Sequence, residues 1–307
     1  MRIGINGTGL LGSGSIAAIA DHAAQAAADG FSSYWLAEHP VGGIDALTVL
    51  SIVAQTVPAI ELGTAIVPTW PRHPMVLAAQ ALTANQAMTG RLALGIGLSH
   101  EPMLAQLGIP MEKPIRHLRE FLSVLMPLLH DGKVDFAGET VSCRAELFRK
   151  PERPPVVLVA ALGPQALRVT GRLADGTSLA WVGPKTVREH VAPTIRDAAA
   201  QAGRAAPRIV ATLPLCVADD VAGARARAGK SFATYGALPS YQEMFRREGV
   251  EGPADLIIAG GESEVEDRLG ELATAGVTDF SASEFGRGDR ERERTRALLR
   301  SLASQSR

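Results

Sequence analysis

Leu62-Gly63-Thr64-Ala65-Ile66-Val67-Pro68, then residues 75–88, then Leu92-Ala93-Leu94-Gly95-Ile96-Gly97, form the stretch that decides the fold. The first run is short, apolar and bounded by Pro58 and Pro68, which reads as a buried strand. After an Arg72-His73-Pro74 turn, Val76, Leu77, Ala79, Leu82, Ala84 and Met88 give a helical pattern that Gly90-Arg91 ends. The third run is again a buried strand, and it opens into Leu98-Ser99-His100. Two apolar strands joined by a helix make a parallel βαβ unit, with polar groups gathered just past the strand ends.

The same alternation extends in both directions. Residues 2–6 predict strand one, residues 13–28 an Ala-rich helix, and residues 33–37 strand two, closing on Glu38-His39-Pro40. A helix is expected over 43–56. Residues 113–129 are amphipathic, with Leu118, Phe121, Leu122, Leu125, Leu128 and Leu129 on one face. Val134-Asp135-Phe136 and Glu139-Thr140-Val141 flank Gly138 and predict a small hairpin insertion after strand four. Strands five to eight are expected over 155–160, 176–181, 208–217 and 278–283, with helices over 165–174, 185–202 and 262–275. Residues 220–255 carry no clear pattern beyond a Tyr235-Gly236-Ala237-Leu238-Pro239 interruption. Eight strands alternating with helices predict an α/β protein, a single (β/α)8 TIM barrel over 1–307, ending in a charged helix at 286–307 that reads as a solvated face. A doubly wound sheet is the competing fold.

Hydrophobic content of 46% and charged content of 21% fit a soluble globular chain, and a net charge of −1 gives no footprint for nucleic acid or an acidic membrane. Cys143 and Cys216 form no CxxC and no disulfide framework, which favours a reducing compartment. Residues 1–7 lack the regions of a signal peptide, and no apolar run reaches about 18 residues, so a cytoplasmic protein is expected.

Barrel chemistry sits at the carboxyl ends of the strands. Those ends carry Glu38 and His39, then Ala65, Ile66 and Thr69, then Ser99 and His100, then Ala161-Leu162-Gly163-Pro164, and finally Trp181. A carboxylate beside an imidazole can bind a hydroxyl, relay a proton or ligate a metal, or be a loop charge with a locally packed neighbour. A binuclear metal site would draw on Glu38, His39, His73 and His100, but such barrels need a His-x-His where this chain has Asn6-Gly7-Thr8-Gly9, so no metal is expected. Gly163-Pro164 opens a helix and leaves backbone N–H groups free for an anion, although the same pair suits any helix start. Gly95 and Gly97 make room for a ligand or a neighbour; Trp35 and Trp181 are ring-stacking walls or core; Arg72-His73-Pro74 is a cofactor clamp or a turn. No Gly-x-Ser-x-Gly elbow, Walker loop or His-Glu-x-x-His is present.

Five segments in order carry a resemblance: Arg72-His73-Pro74 with Leu77-Ala78; residues 90–97; Ala160-Ala161-Leu162-Gly163-Pro164 with Arg168; Leu173-Ala174-Asp175-Gly176; and residues 272–277. With them the chain resembles the luciferase-like monooxygenase superfamily over nearly its whole length, and within it the coenzyme F420-dependent oxidoreductases. The run Gly97-Leu98-Ser99-His100-Glu101-Pro102-Met103 with Lys113-Pro114 is similar to one actinobacterial subgroup. The resemblance implies F420 as cofactor, with FMN the alternative, and hydride transfer between the deazaflavin C5 and a small organic substrate. It implies a cis peptide at Ala65-Ile66 backing the ring, a bond from Glu38 to the ring's hydroxyl region, and phosphate contacts at Ala161, Leu162 and Gly163. The expected cofactor-facing set also includes Thr64, Gly97, Ser99 and Trp181; the expected catalytic set is His39, His100 and Glu38. A homodimer is implied as well. Two departures bear on the substrate: the family's sugar-phosphate dehydrogenases end strand two in Asp-His and place a Glu where this chain has His100. The rival readings are a reduced-FMN monooxygenase on the same barrel and a non-catalytic barrel that binds a flavin-type cofactor.

Overall fold

Eight strands lie side by side in chain order and close on themselves: β1 (Arg2–Asn6), β2 (Ser33–Leu36), β3 (Glu61–Thr64), β4 (Leu92–Gly97), β5 (Val156–Ala160), β6 (Gly176–Ala180), β7 (Arg208–Val217) and β8 (Asp279–Glu284). Every neighbouring pair is parallel, and β8 pairs with both β7 and β1 to complete a (β/α)8 barrel. This computed structural model describes residues 1–12, 14–39 and 42–305, so the predicted helix start at residue 13 and the Pro40 that closes strand two lie outside the described residues. No helix among the described residues is long and apolar enough to cross a membrane.

Strand three departs from the continuous run that its sequence predicts. It stops at Thr64 and resumes as Val67–Pro68, still against β4, and the Ala65–Ile66 peptide bond between the two pieces is cis. Thr64 is fully buried, and its hydroxyl donates to the Gly95 carbonyl at 2.7 Å while accepting the Gly95 N–H at 2.8 Å. One side chain thus replaces the missing ladder bonds. Gly95 is required by this arrangement, because a Cβ there would run into the Thr64 carbonyl oxygen. The neighbour that Gly95 and Gly97 make room for is therefore the protein itself; a Cβ on Gly97 would come within 3.0 Å of the Ile66 side chain. Gly95→Ala is expected to destabilise the fold by about 1–3 kcal/mol, as overpacking does, read as a lower urea midpoint at unchanged slope.

Trp35 is core. It is fully buried and packs with Ala93, Leu158 and Val210, residues from strands around the circle that can meet only inside the barrel. Its Nε1 donates to Ser33 Oγ at 2.8 Å, and Gly63 leaves space that a Cβ would take from the indole.

Three further expectations need correction, and the stretch without a clear pattern gains its elements. The hairpin pairs Lys133–Ala137 with Ser142–Glu146, so residues 139–141 form the turn rather than a strand. The buried Glu120 carboxylate accepts N–H groups from Thr140 (2.6 Å) and Val141 (3.1 Å) and the Thr140 hydroxyl, which pulls that stretch onto the helix Pro114–His130. The helix expected over 185–202 is broken into Pro184–Thr186, one turn of π-helix at Val187–Val191 and Ala192–Gln201. Pro193 lacks the N–H that regular winding needs, and the wider turn lies just before it. The unclear region holds helices Val221–Ser231, Ala233–Gly236, Pro239–Glu248 and Pro253–Leu256, then a strand, Ile258–Gly260, that pairs with the end of β7 outside the closed barrel. The terminal helix Gly288–Gln305 is not wholly solvated: Thr295, Leu299 and Ala303 are buried, and Arg296 pairs with Asp29 and Glu284.

The amino end of the barrel is closed by charge. Arg208 on β7 reaches Glu61 on β3 at 2.9 Å and Asp279 on β8 at 2.8 Å, and Arg2 on β1 joins both carboxylates.

Candidate functional site

The opposite, carboxyl end gathers the residues singled out by sequence. Glu38 follows β2 and is buried, with both oxygens engaged. Oε1 accepts from Arg72 Nη1 at 2.5 Å, and Oε2 accepts the N–H of Ala46, the first residue of the helix Ala46–Val53, at 3.1 Å. Arg72 also binds Asp45 at 2.7 Å, and Asp45 caps the same helix through Thr48 N. Arg72 is thus a link within the protein: it ties the end of β2 to the segment after β3. His73 is set apart from the histidine group. Its Nδ1 accepts the Met75 N–H as a helix cap, and its Nε2 lies 3.2 Å from the Ser142 carbonyl of the hairpin.

The backbone of Glu38 donates to Ile66 O at 3.1 Å, and Thr69 N donates to Gly97 O at 2.9 Å, so the ends of β2, β3 and β4 form one continuous patch. Ala65, Ile66, Ser99 and Leu162 are partly exposed there and Gly163 is open, whereas Thr64 and Gly97 are buried in the wall. The Thr64 hydroxyl is spent on Gly95.

His39 and His100 are brought together. Each is partly buried, and burial pushes each imidazole below its usual pKa; the proximity of His39 lowers His100 further. Both rings are therefore neutral at pH 7. Ser99 adopts a left-handed φ of 61°, and His100 then stands before the short helix Glu101–Ala105 without using its ring as a cap. Its imidazole has no side-chain or backbone hydrogen bond among the described residues and lies 5.3 Å from the ring of Tyr241.

Two Gly-Pro helix starts follow β5 and β6, and they differ. At Gly183-Pro184 the Glu248 carboxylate occupies the anion position, accepting N–H groups from Lys185 (3.1 Å) and Thr186 (2.7 Å). At Gly163-Pro164 no side chain among the described residues caps the helix Pro164–Leu173, and a Cβ on Gly163 would meet none of them within 4 Å. The loop is held from behind by the buried His190, whose Nε2 lies 2.7 Å from the Leu162 carbonyl, and Ala161 is buried. An open, uncapped helix start of this length suits a phosphate.

Trp181, at the end of β6, has a left-handed φ of 59° and touches Phe232 (4.8 Å between centroids) and Tyr235 (5.5 Å). These rings and Tyr241 come from the helices between β7 and β8, which sequence left unread. A second unforeseen pair, Trp70 stacked on His117 at 3.8 Å, stands just past Thr69, whose hydroxyl lies 3.1 Å from His117 Nε2. Burial pushes His117 down to about 4, against the pull of Glu120, so it is neutral in its bond to Thr69. The sequence signal for the Glu248 plug was present in the repeated Gly-Pro at strand ends. None existed for the ring contacts, which depend on tertiary packing.

Among characterised proteins, the chain is 24% identical over 269 residues to a 5,10-methylenetetrahydromethanopterin reductase of Methanolobus tindarius, covering 87% of this chain and 81% of that one. It is 28% identical over 251 residues to an F420-dependent glucose-6-phosphate dehydrogenase of Nakamurella multipartita, covering 78% and 73%. Its fold matches the F420-dependent tetrahydromethanopterin reductase of Methanopyrus kandleri with a TM-score of 0.82 over 99% of both chains, at 21% identity. The family model for luciferase-like monooxygenases matches residues 3–301. A barrel closed in chain order, with its polar groups at the strand ends and that match across almost its full length, places this chain in the luciferase-like monooxygenase family.

Proposed function

We propose that the protein is an F420-dependent oxidoreductase that transfers a hydride between the deazaflavin C5 and a small organic substrate, in the direction that reduces a C=C, C=N or C=O bond. The observation that carries the reading is the pair of imidazoles, His39 and His100, brought together beside an open strand-end patch in a chain related to two F420-type enzymes. The residues present fit the cofactor. The uncapped helix start at Gly163 offers N–H groups to its phosphate, in contrast to the start that Glu248 fills. Ala65 and Ile66 would back the ring, and Glu38, fixed by Arg72 and Ala46, would present its remaining lone pairs to a hydroxyl. When bound, F420 supplies a two-electron hydride donor or acceptor. The protein holds the substrate in line, keeps water out with the rings of Trp181 and Tyr241, and holds a proton at His100 Nδ1 or Nε2 for the substrate. A homodimer in a reducing cytoplasm belongs to the same proposal.

Titration of the purified apo-protein with F420 and, separately, FMN tests it. Tight F420 binding with weak FMN binding is the expected result. Preference for FMN would replace the reading with a reduced-FMN monooxygenase, and binding of neither would remove it. Gly163→Trp is expected to weaken F420 binding at least tenfold with the melting temperature unchanged, because the glycine faces open space. Unchanged affinity would move the phosphate elsewhere.

A further inference from the structure

We propose that Phe232, Tyr235 and Tyr241, resting on Trp181 and His100, form the substrate wall, and that it selects an uncharged molecule with a flat apolar face and a hydrogen-bond acceptor. The excursion between β7 and β8 returns these three side chains to the strand ends. Tyr241 meets His100 at 5.3 Å and Tyr235 at 5.9 Å, Tyr235 meets Trp181 at 5.5 Å, and Trp181 meets Phe232 at 4.8 Å. The rings form an unbroken line from the end of β4 to the end of β6. Such surfaces bind planar apolar groups through offset and edge contacts.

Two observations narrow the ligand. Of the chain's three tyrosines, Tyr34 spends its hydroxyl on His22 at 3.1 Å, while Tyr235 and Tyr241 have no hydrogen-bond partner among the described residues. Each hydroxyl is thus open to a ligand, and a carbonyl or imine supplies the acceptor it can donate to. The wall is also uncharged. Its members in contact are the rings of Phe232, Tyr235 and Tyr241, the Trp181 indole and the His100 imidazole, with no carboxylate, lysine or arginine among them. The cation farther along the rings, Arg227, lies over Phe285 and is paired with Glu291. A phosphate or carboxylate lodged here would lose its hydration without a counter-charge.

The inference rests on the oxidoreductase reading only in calling the ligand a substrate, so binding is measured apart from turnover. Acetophenone, its charged analogue 4-acetylbenzoate and its acceptor-free analogue ethylbenzene are titrated into the apo-protein, followed by saturation-transfer NMR. Acetophenone is expected to bind at least tenfold tighter than 4-acetylbenzoate. The double variant Tyr235→Phe/Tyr241→Phe keeps the rings, and it should weaken acetophenone about fivefold while leaving ethylbenzene unchanged. Phe232→Ala should weaken both. No acetophenone binding, equal or tighter 4-acetylbenzoate binding, or equal losses for acetophenone and ethylbenzene in the double variant would overturn the proposal. F420 titrated into the same wild-type protein separates the two readings: F420 binding without acetophenone removes the wall alone, and acetophenone binding without F420 removes the function proposed for it.

Discussion

Arg208→Met is expected to lower stability by about 3–5 kcal/mol, the usual cost of stranding buried charge when one partner of an ion pair is removed. Arg208 serves two carboxylates at once, Glu61 and Asp279, and Asp279 is almost fully buried at the first residue of β8. Burial alone would raise the Asp279 carboxyl, yet Arg208, the Thr278 hydroxyl and Arg2 together hold it below the usual carboxylate range. A depressed folded value contributes stability that is present above the unfolded pKa of about 3.9 and is lost as pH falls through the folded value. The wild type should therefore weaken in acid. In Arg208→Met that support is diminished, so the deficit should be greatest near neutrality and shrink in acid, where Asp279 protonates. Urea unfolding at pH 7 and pH 4 reads both effects. A loss below 1 kcal/mol at pH 7, or one that grows in acid, would mean that the four charges at the barrel floor do not act as a unit.

This floor was invisible in the sequence, although its residues open four strands. Arg2, Glu61, Arg208 and Asp279 are far apart in the chain, and only barrel closure makes them neighbours. What could be read locally was read well: β4 and β7 match the apolar runs at both ends, because buried parallel strands are written as continuous hydrophobic stretches. The failures have particular causes. Residues 139–141 look like a strand, but Glu120, twenty residues away, claims their N–H groups. Residues 185–202 look like one helix, but Pro193 forces a wider turn before it. The placement of Glu38, His39, His100 and the Gly163 turn at the carboxyl end of the barrel was legible from their positions after the strands. The ring wall was not, because Tyr235 and Tyr241 lie on short helices and Phe232 on the turn between two helices, away from any strand end. Thr64 also ends a strand, and its side chain points into the wall, where it bonds Gly95 beside the break.

His100→Gln is expected to lower kcat by about 10²–10⁴, the usual contribution of a positioned general acid or base, with F420 affinity and melting temperature unchanged. His100 is the stronger donor candidate because its ring adjoins the aromatic wall and caps no helix, whereas His39 acts on it across the mouth. The pH profile tests that division. Burial, and then His39, lower His100 from its ordinary 6.5, so at pH 7 it is mostly neutral. Reduction needs the protonated ring, and its rate should rise as pH falls towards the lowered value and level off beneath it. The reverse oxidation needs the neutral ring and should already be at its plateau at pH 7. In His39→Gln the neighbour that disfavours charge on His100 is gone, so the inflection should move up towards neutrality and reductive turnover at pH 7 should gain. A profile that does not move in His39→Gln would uncouple the two rings. If His39→Gln carried the full loss while His100→Gln kept its rate, the donor would stand at the end of β2, on the same segment as Glu38, and the wall beside β4 would serve binding alone.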